Sequence, residues 1–196
     1  MDDLKKGIKI TVVLTIICGL AYPLLITGIG QLIFPNQANG SVIEHNGVEV
    51  GSKLIGQEYN DDSHFVGRIS AINYNISENG AEIDATSGSQ NLGVTSNVLK
   101  ERVDKDIEAF LEKNPTLSKE DISSELISQS GSGLDPDITP QGARIQIDRV
   151  SKATGISKED LNKLIDEKTK GKWLGLYGSE RVNVLELNIA VDDMRK

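Results

Sequence analysis

From Ile10 to Phe34 the chain runs 25 residues without an Asp, Glu, Lys or Arg. Backbone groups in hydrocarbon must bond within their own segment, and about 20 apolar residues in a helix suffice to cross a bilayer. The run therefore predicts one transmembrane helix over residues 10–34. Lys5, Lys6 and Lys9 crowd its N-terminal side, and no Lys or Arg follows until Lys53. Positive charge collects on the cytoplasmic side, so residues 1–9 are expected in the cytoplasm. Residues 35–196 are then extracytoplasmic, and the chain is a single-pass protein of the cell membrane. A cleaved signal peptide fits poorly, because the run exceeds the usual apolar core of about 7–15 residues and no A-x-A site closes it. A lipoprotein signal at Cys18 also fits poorly, since Ile16 and Ile17 precede the cysteine and the apolar run continues past it.

Thr11, Thr15, Gly19, Pro23 and Thr27 recur every four residues along this helix. Small residues let helix backbones approach closely, and threonines can bond across an interface. The stripe is a candidate docking face for another membrane helix. Gly and Pro are common in such helices, so chance is the competing explanation.

The part outside the membrane is acidic. The net charge is −8, and the first 34 residues hold three lysines against two aspartates, which leaves −9 for the remainder. Such a domain is a poor match for nucleic acid, whose phosphates need a basic patch. Its only histidines are His45 and His64, and the single cysteine lies in the apolar run. A disulfide framework is excluded, and a His/Cys zinc site is not expected.

Local signals sketch a mixed fold. Asn46-Gly47 between Val42–His45 and Val48–Val50 predicts a hairpin, because both turn residues tolerate positive φ. Residues 56–93 are rich in Gly, Ser and Asn and read as loops with short strands. Residues 97–113 carry Leu99, Val103, Ile107, Phe110 and Leu111 on one helical face, and Asn114-Pro115 stops them. Thr139-Pro140 caps a helix with Ala143, Ile147 and Val150 inward, up to Gly155. Ser157 caps another, with Leu161, Leu164 and Ile165 inward, ending near Gly171. Leu185, Leu187, Ile189 and Val191 alternate, which predicts a strand, with Asn183 and Asn188 bonding neighbouring loops. The class is α+β: one N-terminal transmembrane helix and then one mixed extracytoplasmic domain.

Few residues promise chemistry. Ser130-Gly131-Ser132-Gly133 precedes a helix start and could cradle an anion, yet it lacks the lysine and spacing of a P-loop. A structural turn is favoured there. No S-x-x-K or G-x-S-x-G occurs. His64 has Asp61 and Asp62 nearby, and an ordinary boundary histidine is the simpler reading. Gln146 and Arg149 stand three apart on one helix face; Arg149 could meet a phosphate or carboxylate, while a solvated face is favoured. Trp173 and Tyr177 suit a partner surface or the core equally. No catalytic residue, metal site or cofactor of its own is expected.

These segments together resemble one family over essentially the whole chain. Tyr22-Pro23-Leu24 lies within the single span, and Gly51–Gln57, Phe65–Ala71, Tyr74-Asn75, Ser87–Gly93, Ser130–Pro136 and Gly178–Asn188 follow it in order. They are similar to the C subunit of the bacterial Kdp-type potassium-transporting P-type ATPase. The family usually has Arg-Pro-Ser-Ala at 68–71, an aromatic at 64 and a histidine at 137, where this chain has Ile69, His64 and Asp137. The resemblance implies a non-catalytic accessory subunit of a high-affinity potassium importer. It implies three partners: a channel-like potassium-binding subunit, a phosphorylated P-type ATPase subunit and a small membrane peptide. It also implies a catalytic chaperone that raises ATP affinity, with Gln146 as the candidate nucleotide contact. ATP is cytoplasmic, whereas the lysine bias places this domain outside.

Overall fold

The computed structural model describes residues 1–77 and 84–195. The chain forms two compact units, Met1–Ser52 and Lys53–Lys196.

In the first unit, α1 (Asp2–Ile16) passes through a π-helical turn (Ile17–Ala21) into α2 (Tyr22–Ile33). Pro23 has no N–H, and its ring conflicts with the carbonyl four residues back. The preceding turn widens accordingly, and Tyr22 N–H bonds the Ile17 carbonyl five residues back. The continuous helix of 32 residues is long and apolar enough to cross a membrane. At about 1.5 Å per residue it spans roughly 48 Å, against a hydrocarbon core of ~30 Å. The short helix α3 (Pro35–Ala38) ends it, where the Gln31 and Asn39 amides exchange two hydrogen bonds of 3.2 Å. Strands β1 (Val42–His45) and β2 (Val48–Ser52) then pair antiparallel. The turn is the expected one, with Asn46 and Gly47 at φ 53° and 78°.

The second unit opens with an irregular stretch. It carries the one-turn helix Asn73–Asn75 and, among the described residues, no strand. The part of the 56–93 reading that falls on 78–83 lies outside the described residues. Helix α4 (Asn97–Lys113) has the expected bounds, capped by the Ser96 hydroxyl and closed at Asn114. Strand β3 (Asp137–Ile138) leads through the Thr139 cap into α5 (Pro140–Arg144) and α6 (Ile147–Thr154). The helix expected from 140 to 155 is thus two pieces. At the joint, Gln146 N–H bonds the Ala143 carbonyl three residues back, and Gln146 sits at φ −92°, ψ −5°. Helix α7 (Lys158–Lys168) stops earlier than Gly171, because β4 (Thr169–Lys170) begins there.

Strand β5 (Arg181–Asn183) runs between β3 and β4, antiparallel to both. The strand predicted over Leu185–Val191 is instead helix α8 (Val184–Met194). Asn183 accepts from Glu186 N–H and starts it. The buried positions Val184, Leu187, Asn188 and Val191 have helical spacing. Counting Asn188 as polar hides that period. The core lies among α5–α8 and β5, with Phe65 inserted from the irregular stretch.

Candidate functional site

Two side-chain amides grip consecutive peptide groups. Asn188, on α8, accepts from Phe65 N–H at 2.8 Å and donates to the Phe65 carbonyl at 2.9 Å. Gln146, at the α5–α6 joint, accepts from Val66 N–H at 2.8 Å and donates to the Val66 carbonyl at 3.1 Å. Residues 65–66 are held as a strand would be, with amides replacing neighbouring strands. The second Gln146 N–H goes to the Gly142 carbonyl at 3.0 Å. Its oxygen also accepts from Arg149 at 2.8 Å.

Arg149 is buried, which corrects the expectation of a solvated face for the Gln146–Arg149 pair. Its guanidinium donates to the carbonyls of Asp62 and His64 at 2.8 and 2.9 Å and to Asn114 Oδ1 at 3.2 Å. Asn114 in turn donates to the Phe110 carbonyl and closes α4. One cation thereby joins α4, α6 and the 61–64 loop. Burial pulls its pKa down, and the Asp62 and Asp61 carboxylates oppose this. Arg149 also lines an open cavity of about 740 Å³ whose rim mixes Asp62, Glu112 and Asp148 with Lys113 and Lys152.

His64 is held on both ring nitrogens, Nδ1 by Asp61 at 2.7 Å and Nε2 by Asp192 at 3.1 Å. Tyr59 packs against the ring in a tilted arrangement, with centroids 5.4 Å apart. Burial raises the Asp61 carboxyl, but hydrogen bonds from His64 and Ser63 outweigh it and hold the group at about 2. With carboxylates on both sides, His64 has no nitrogen left to act as base toward a serine hydroxyl. The cluster ties the loop to α8. Among the described residues no group of three or more His, Cys, Asp or Glu could hold a metal ion.

The Ser-Gly loop is braced from behind. Gly56 N–H bonds the Leu134 carbonyl, and Gly88 N–H bonds the Ser132 carbonyl. The amides of Leu134 and Asp137 turn inward to Ser132 Oγ and Asp135 Oδ1. Arg68 pairs with Asp135 at 2.8 Å. Gly133 N–H bonds the Ser130 carbonyl as well, and these bonds fit a structural turn. Asn183 donates to the Lys53 carbonyl at 2.8 Å, so both asparagines bond loops as expected. Trp173 and Tyr177 are exposed, which removes the core-packing alternative.

In the membrane helix, Thr11 and Thr15 lie on α1, Gly19 in the π turn, and Pro23 and Thr27 on α2. At about 100° per residue, a four-residue repeat drifts by ~40° per step, or roughly 160° from Thr11 to Thr27. A π turn holds one more residue and takes back about 100° of that drift. Sequence spacing alone could not show this realignment. Nor did it show the Arg149 cluster, whose backbone partners Asp61, Asp62 and His64 lie more than 80 positions away.

The class is thus α+β: one helix long and apolar enough to cross a membrane, followed by a mixed helix and sheet domain whose buried amides bind its own backbone. The sequence matches the family described as KdpC, K+-transporting ATPase, c chain, over residues 4–193. The potassium-transporting ATPase KdpC subunit of Clostridioides difficile is 47% identical over 201 residues, with 97% of each chain covered. That of Clostridium kluyveri is 46% identical, covering 97% of this chain and 95% of the relative. That of Bacillus cereus is 45% identical, covering 98% and 96%. The chain belongs to the K+-transporting ATPase c-chain family.

Proposed function

We propose that the chain is a non-catalytic accessory subunit of a high-affinity, ATP-driven potassium import complex. One observation carries this reading: the buried Gln146, Arg149 and Asn188 side chains bond the domain's own backbone. Gln146 has four internal hydrogen bonds and Arg149 binds neutral carbonyls and amides. A domain bonded in this way is suited to holding other subunits together. The realigned Thr/Gly/Pro stripe supports docking of the helix beside the channel-like subunit. The lysine bias supports an extracytoplasmic domain. On this reading Gln146 does not touch nucleotide, and any gain in ATP affinity reaches the P-type pump subunit through assembly. An acidic domain outside would also raise the local cation concentration at the entrance, an effect that fades with salt.

The test is Gln146→Leu in the whole complex. The expected result is weaker co-purification of this chain and an unchanged KM for ATP in the complex that remains assembled. A raised KM for ATP with assembly intact would make Gln146 a nucleotide contact and overturn the reading.

A further inference from the structure

Strands β4 and β5 form the base of an arm whose tip is residues 171–180. Thr169 pairs with Val182 and Lys170 with Arg181, and Val182 is fully buried, so the base is fixed to the core. Above it Trp173 N–H bonds the Tyr177 carbonyl at 2.8 Å, and Tyr177 N–H bonds the Trp173 carbonyl at 3.0 Å. This closes a tight turn, with Leu174, Gly175 and Gly178 all at positive φ. The turn forces its side chains outward. Trp173, Leu174, Leu176 and Tyr177 are 68, 72, 76 and 64% exposed. The two rings lean on each other at 5.9 Å and leave the leucines free at the tip.

Four adjacent large apolar side chains in water are unfavourable, since each loses roughly 1.5–3 kcal/mol of burial. The surroundings indicate what covers them. Residues 168–181 carry Lys168, Lys170, Lys172 and Arg181 against the single Glu180, in a chain whose net charge is −8. Lys170 pairs with Glu186 and Arg181 with Asp137, so among the described residues Lys168 and Lys172 are the cations of this stretch that remain for a ligand. Aromatic rings with leucines at the tip and lysines behind are the composition that settles at a membrane–water interface. A helix long enough to cross a bilayer tethers the same chain.

We propose that this arm inserts its tip into the head-group region of the phospholipid bilayer, with Leu174 and Leu176 at the acyl boundary and Lys168 and Lys172 on lipid phosphates. The inference rests on the membrane-anchor reading. It adds a second, peripheral membrane contact to the domain.

Trp173 is the only tryptophan in the chain, so its fluorescence reports the tip directly. The full chain would be reconstituted in phosphatidylglycerol–phosphatidylcholine vesicles, with lipids brominated near the head group as quenchers. The expected result is a blue-shifted Trp173 emission that these lipids quench, with both effects lost in the Leu174→Ser/Leu176→Ser double variant. Water-like, unquenched emission in vesicles that retain the chain through alkaline extraction would overturn the proposal. So would a photo-crosslinker at Leu176, in the assembled complex, that captures a protein subunit and no lipid. Release by alkali would instead sink the anchor, and quenching would still read the tip on vesicles to which the chain is added.

Discussion

Residues 130–137 and 171–178 are both glycine-spaced connections between elements of the same domain. Gly133 and Gly175 even share one backbone angle, each at φ 72°. Their surroundings are opposite. A Cβ at Gly133 would lie 2.8 Å from the Gly88 carbonyl oxygen and 2.9 Å from Ile72 Cγ1, whereas one at Gly175 would meet nothing within 4 Å. The first loop is wedged between other backbone segments and serves the fold. The second is closed only by its own turn and presents side chains to the outside. Glycine content marks where a backbone must bend. It does not say whether the bend is for packing or for display; that is decided by what lies across from it.

Alanine at each position separates the two effects. Gly133→Ala adds a steric clash to left-handed strain and should cost about 2–5 kcal/mol, read as a lower urea midpoint. Gly175→Ala meets the strain alone and should cost about 1–2 kcal/mol. Equal costs would mean that the 130–137 loop yields and is not wedged.

Asp137 joins the two regions, since its carboxylate pairs with Arg181 at the arm base at 3.2 Å. Burial raises its pKa above 3.8, and Arg181 only partly offsets this. A carboxyl raised on folding contributes stability at low pH and loses it as pH climbs through the folded value. Stability should therefore fall modestly as pH rises above about 3.8, and Asp137→Asn should flatten that slope in thermal melts. The smallest expected change is Leu176→Ser, which should leave the melting temperature of the detergent-solubilised chain within the effect of about 0.5 kcal/mol. A larger drop would mean that the tip packs on the domain.

Features set by neighbouring residues were legible in the sequence. The uncharged run, the Asn46-Gly47 hairpin, the Thr139 and Ser157 caps and the stop at Asn114 depend on a few adjacent positions. Features set by distant partners were not. Arg149 and Gln146 looked like a solvated face because their bonding partners, residues 61–66, lie about 80 positions away. The α8 segment looked like a strand because Asn188 is polar by type yet buried by its bond to Phe65. In each case a polar side chain belongs to the core, and only the fold shows the backbone group that it satisfies. The π turn was not read from the sequence, where Pro23 counted only as a member of the stripe with Thr11, Thr15, Gly19 and Thr27.

The central claim is a domain outside the membrane that works by holding an assembly together. Protease accessibility of residues 53–196 in intact cells, with the complex assembled, tests it most directly. Cleavage from outside, without opening the cells, is the predicted result. Protection until the cells are opened, with a control outer epitope cut as expected, would contradict it and place Gln146 on the side where ATP is found.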